Sequence, residues 1–149
     1  MSITAAEVKA LRIQTGAGMM DCKRALEESE GNTEKAVEIL RLKGQKVAAK
    51  RSDREASEGV ILSGVSKDGK TGFVMSLNCE TDFVAQNADF ISLTQTLIDL
   101  AITDSCESKD ELLAKKFPGS DITVADRIID ETGKIGELIE IGGFNVSKG

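Results

Sequence analysis

The chain has 149 residues, 40% hydrophobic and 30% charged, the balance of one ordinary globular domain or of a small module followed by a larger one. It has no histidine, three scattered cysteines and a formal charge of −6. The commonest general base and zinc ligand is therefore missing, no two cysteines stand at the short spacing of a metal site, and no apolar run approaches the roughly 20 residues that span a bilayer.

The odd cysteine count fits reduced thiols in a cytosol rather than a disulfide framework. The start, MSITAAEVKAL, lacks a basic region followed by an apolar core, so no signal peptide is read and a cytoplasmic location is expected. Charge is uneven: residues 1–54 carry eleven Lys/Arg against eight Asp/Glu, and residues 55–149 carry eight against seventeen. Much of the basic excess lies in RLKGQKVAAKRSDR, Arg41 to Arg54. No aromatic residues interleave there to stack on bases, so a solvated linker over residues 44–58 is expected and no direct nucleic-acid contact.

In chain order, residues 1–43 read as three short helices. Thr4 and Glu7 form a capping box, and Val8 and Leu11 follow at helical spacing. Thr15–Gly16–Ala17–Gly18 breaks the first helix. Met19, Cys22, Ala25 and Leu26 mark the second. Gly31–Asn32–Thr33 recaps a third through Ala36, Val37 and Leu40, with Gly44 as its stop signal. Three short helices give a small core, near the lower limit for independent folding, and such a module suits a partner. The adjacent Met19 and Met20 point about 100° apart, so both cannot face that core. Spacing favours one core Met and one partly exposed; the other reading is a flexible apolar docking knob.

From residue 59 onwards the pattern becomes α+β. GVILSGVS and TGFVMSLN are strand-like and flank Lys67–Asp68–Gly69–Lys70, whose Asp-Gly step marks a hairpin. Asn87 caps a helix through Phe90, Leu93, Leu97 and Leu100. Ser108 and Glu111 open a short helix ended by Pro118–Gly119, and Thr123 and Asp126 open another through Ile128 and Ile129. Leu138, Ile139 and Ile141 supply a further strand, so helices pack on one face of a hairpin-containing sheet over residues 59–149. Between the second strand and the Asn87 helix lies LNCETDFVAQN, in which Phe83 either turns inward to a core, the reading the residues alone favour, or is held out to enter something else.

One motif misleads. Gly64 to Thr71 satisfies GxxxxGK[ST], but the phosphate loop needs a helix after it, whereas Gly72–Phe73–Val74–Met75 continues as strand. Ser57 and Ser63 have no evident base, and no carboxylate pair stands out, so no enzyme active site and no cofactor are read.

Two stretches, LRIQTGAGMMDCKRAL (Leu11 to Leu26) and LNCETDFVAQN (Leu77 to Asn87), together resemble the signatures of the bacterial elongation factor Ts family. The resemblance covers nearly the whole chain and stops short of the second core subdomain that longer members carry. Family members commonly have Glu where this chain has Ser76, and Lys or Arg where it has Gln86. The resemblance implies a ubiquitin-associated-like helical module at residues 1–43, a linker, then the first half of an α+β core. It implies a guanine-nucleotide exchange factor for elongation factor Tu. Thr81, Asp82 and Phe83 would meet the GTPase domain near its magnesium and phosphate site, with Phe83 wedging between helices, Asp82 perturbing the metal's surroundings and Val84 backing the loop as core. Arg12, Met19 and Met20 would dock the helical module on the same domain. The alternative is a module that docks on the GTPase without driving exchange, since contacts usually made by the second subdomain are missing from this chain.

Overall fold

Local capping chemistry sets where the helices begin. The computed structural model describes residues 3–149, and in it Thr4 accepts from the Glu7 amide at 3.1 Å while the Glu7 carboxylate returns to Thr4, opening α1 (Ala5–Thr15). Gly16 ends α1 at φ 75°, a left-handed value that suits glycine. Helix α2 (Met19–Glu28) follows, and Asn32 caps α3 (Thr33–Lys50). Val8, Leu11, Cys22, Ala25, Leu26, Ala36 and Leu40 pack into the small core that the spacing predicts.

Helix α3 does not stop at Gly44. It runs on to Lys50, so the helical module extends past residue 43 and the stretch expected as linker starts as helix. The reason is tertiary. Gly44 faces α7 (Val124–Ile135), where a Cβ on residue 44 would stand 2.2 Å from the Ile129 carbonyl oxygen. Gly133 on α7 faces back, its missing Cβ 2.9 Å from the Gly44 Cα. The two glycines let the backbones touch, and a residue that reads locally as a stop serves here as a packing notch.

Beside the notch, Arg41 Nε donates to Asp130 Oδ1 at 2.9 Å and Nη1 lies 3.1 Å from Asp126. The Asp130 side chain is fully buried, and burial pushes its carboxyl above the ordinary range against the pull of Arg41. A hydrogen bond from Ser120 Oγ to the Gln14 carbonyl adds a second tie between module and core.

Strands β1 (Glu58–Val65), β2 (Thr71–Cys79) and β3 (Glu140–Lys148) form one antiparallel sheet in that order. Phe73, Met75, Leu77, Cys79 and Ile141 turn inward against α5 (Ala88–Thr103), as period-two alternation requires. Ile61, Val65 and Val74 lie on the opposite, exposed face. Asn87 caps α5 and Thr123 caps α7, as the sequence predicts. Ser108 caps α6 (Lys109–Ala114), which ends before Pro118–Gly119; that pair sits at the tip of a turn closed by Phe117 N–H to the Ile122 carbonyl at 2.8 Å.

The hairpin disposes of the phosphate-loop motif. The Gly69 amide donates to the Ser66 carbonyl, the Lys70 amide to the Asp68 carboxylate and the Thr71 amide to the Ser66 hydroxyl. Donors that would cradle a phosphate are spent inside the turn, and Thr71 starts a strand. All three cysteines are buried and free. Among the described residues no helix is long and apolar enough to cross a membrane.

Candidate docking face

Two helix caps placed close together decide where Phe83 points. Thr81 caps the single turn α4 (Asp82–Ala85), and Asn87 caps α5 immediately after it. One turn can bury only one side: Val84 and Ala85 are half-buried against the core, and Phe83 is 86% exposed. Val84 therefore backs the turn as expected, while Asp82 and Phe83 stand on its outer side, both exposed.

The base of this tip is densely bonded. The Glu137 carboxylate, in the loop between α7 and β3, accepts from the Glu80 amide at 3.1 Å, the Thr81 amide at 3.0 Å and the Thr81 hydroxyl at 2.7 Å. The Glu80 carboxylate accepts from the Leu138 amide at 2.6 Å and from Arg51 Nε and Nη2 at 2.6 and 2.7 Å. Arg51 is the C-cap of α3, so the pair ties the helical module to the tip. Its hydrogen bonds are the main reason the Glu80 carboxyl falls from an ordinary 4.5 to about 2. The Cys79 thiol donates to the Thr81 carbonyl at 3.2 Å, and burial pushes that thiol up to about 11.

On the helical module, Met19 and Met20 open α2 after the Gly16–Gly18 turn and are 58% and 60% exposed. The spacing argument favoured one core Met; the structure turns both outward because Cys22, Ala25 and Leu26 already fill the small core on that side. With Ile3, Val8, Lys9 and Arg12 they line a groove of about 500 Å³. Lys9 and Arg12 also border a cleft of about 510 Å³ between α1, α5 and α7, whose far wall holds Asp89, Glu131 and Lys134. Those three residues border in turn a hollow of about 360 Å³ beside Phe83. Lys9 and Arg12 thus border both the groove at Met19 and Met20 and the cleft, and Asp89, Glu131 and Lys134 border both the cleft and the hollow at Phe83.

The floor of the cleft is set by Arg127. Its Nε donates to Glu131 at 3.1 Å, its guanidinium stacks 4.3 Å from the Phe117 ring centroid, and its Nη1 is buried with no partner among the described residues. Burial pushes the Glu131 carboxyl up, with Arg127 and Lys134 opposing. Gly16 sits directly on this pair: a Cβ there would lie 2.4 Å from Glu131 Oε1.

The comparisons with known proteins fit this layout. The family model described as elongation factor TS matches residues 80–149, beginning at the tip. The elongation factor Ts of Flavobacterium johnsoniae is 55% identical over 148 residues, 99% of this chain and 45% of that protein. Those of Phocaeicola vulgatus and Rhodopirellula baltica are each 51% identical, over 100% and 99% of this chain and 44% of their own length. The chain belongs to the elongation factor Ts family.

This member of the elongation factor Ts family spans under half the length of those relatives. Along that span both stretches that carry the resemblance expose side chains, Met19 and Met20 in one and Asp82 and Phe83 in the other. Sequence reasoning missed Glu137 and Arg51, because their bonds join residues 57 and 29 positions apart and leave no local pattern.

Proposed function

We propose that the chain is a guanine-nucleotide exchange factor that acts on the GTPase domain of elongation factor Tu. The observation that carries this reading is the Phe83 ring, 86% exposed on a turn whose Val84 and Ala85 pack inward, together with an exposed Met19–Met20 pair. A large bare aromatic on a braced tip is a contact element, not a defect of packing. The two methionines adapt their shape to a partner, and Arg12, between them and the cleft, orients it through planar donors.

Exchange then follows from linkage. A factor that binds the nucleotide-free GTPase better than the loaded one weakens nucleotide binding by the same free energy with which nucleotide weakens the factor. Phe83 wedges between helices of the GTPase, and Asp82 disturbs the surroundings of its magnesium. No proton transfer or covalent step is needed, so the chain works without an active site or cofactor of its own.

The test is the release of labelled GDP from elongation factor Tu with and without the chain. Release accelerates with the parent, and Phe83→Ala removes most of the acceleration while stability stays within about 0.5 kcal/mol, since the ring buries little. Equal acceleration by Phe83→Ala would remove the wedge from the reading. Binding without acceleration by the parent would replace exchange with docking alone.

A further inference from the structure

A single helical turn of four residues cannot hold an exposed aromatic by its own hydrogen bonds. What holds it must lie at its base, and the base has one unusual centre. Glu137 is half-buried and accepts three hydrogen bonds from two successive residues, Glu80 and Thr81. The third of these matters most. The Thr81 hydroxyl has one proton, and donating it to Glu137 Oε2 leaves its lone pairs free to accept from the Val84 amide, 3.5 Å away. That contact is the N-cap of the tip. The Glu80 side chain accepts in return from the Leu138 amide, so each glutamate carboxylate holds the backbone of the other's loop.

We propose that Glu137 is a positioning residue for the Asp82–Phe83 tip: its carboxylate fixes the Glu80 and Thr81 amides and orients the Thr81 hydroxyl, and thereby sets the direction in which Phe83 projects. The proposal deepens the exchange-factor reading and rests on it for its activity arm. Glu137 itself need not touch the partner. Removing its carboxylate leaves two amides without their acceptor and frees the hydroxyl to rotate, so the tip becomes an ensemble. Docking through Met19, Met20 and Arg12 survives such a change; the wedge does not.

The experiment compares the parent chain with Glu137→Ala and Glu137→Gln. Amide hydrogen exchange reads the tip directly, and labelled-GDP release from elongation factor Tu reads its use. In Glu137→Ala the amides of residues 80–85 exchange about tenfold faster, with β2 and α5 unchanged, as loss of charge-assisted bonds at one place requires. Its maximal release rate falls about tenfold while the half-saturating concentration moves less than about threefold. Glu137→Gln keeps a carbonyl oxygen for the two amides but sets an N–H where Oε2 accepted the Thr81 hydroxyl, so it falls between the parent and Glu137→Ala. Parental exchange at residues 80–85 in Glu137→Ala would overturn the proposal, and so would a rise spread evenly through β2 and α5. A parent that fails to accelerate release refutes the exchange-factor reading instead; locally faster exchange in Glu137→Ala then still supports the clasp.

Discussion

Replacing Gly44 by alanine sets two effects of opposite sign against each other. In an exposed helix interior the change stabilises by roughly 1 kcal/mol, because glycine is the poorer helix former. At this position the new Cβ would stand 2.2 Å from the Ile129 carbonyl oxygen and 2.9 Å from its carbon, where ordinary contact begins near 3.4 Å. The obstacle is backbone and cannot swing aside. Helix α3 must back away from α7, which also stretches the Arg41–Asp130 pair beside the notch. Overpacking of this kind costs about 3 kcal/mol, so the net loss is about 2 kcal/mol. For a chain of this size that corresponds to a fall in Tm of about 4–8 °C. Thermal and urea unfolding at neutral pH measure it. Gly133→Ala meets the same crossing from the other side, its Cβ 2.9 Å from the Gly44 Cα. Because one separation of the helices relieves both clashes, the double variant loses less than the sum of the single losses. A Gly44→Ala chain that melts at or above the parent would refute the notch.

Met19→Ala with Met20→Ala weakens association with elongation factor Tu about tenfold, yet leaves Tm within about 2 °C, because both side chains are already in solvent; a collapse of Tm would make them core residues. Glu80 makes the fold sensitive to acid in one window. Its folded value of about 2 lies below the ordinary 4.5, so its contribution is whole above about pH 4.5 and is lost as pH falls towards 2. The stability gap between the parent and Glu80→Gln, followed by urea midpoints from pH 7 downward, is therefore constant to about pH 5 and then narrows; a gap undiminished at pH 2.5 would contradict the ion pair. Asp130 and Glu131 work in the opposite sense, since their raised carboxyls make protonation favour the fold, but they are common to both chains and cancel in the difference.

What the sequence disclosed and what it hid divide along the range of the forces involved. Thr4, Asn32, Asn87 and Thr123 act within three residues of themselves, so helix starts were legible, as was the Asp68–Gly69 turn. Gly44 was misread because its local meaning, helix stop, was overruled by a backbone 85 positions away at Ile129. Spacing left one of the paired methionines in the core, because periodicity gives the phase of a face but not which positions the small core has room for. The residues around Phe83 favour a core side chain when read without the resemblance, and the structure overturns that: the half-buried Val84 beside it, claiming the inner side of a single turn, is what turns it outward. Glu137 had no local signal at all, since its work is done on residues 56 and 57 positions earlier.

The buried thiols have a practical consequence. None of Cys22, Cys79 and Cys106 is exposed, and burial raises all three above the ordinary thiol range, so the folded chain is slow to react with alkylating reagents. Cys79 differs from the other two in its neighbour: its Sγ–H is bonded to the carbonyl of Thr81, the residue on which the tip turns. Any motion that swings Thr81 away breaks this bond. The protein thus carries an intrinsic chemical reporter two residues before the cap of its tip, and the rate at which a disulfide reagent reaches Cys79 records how often the Thr81 cap opens.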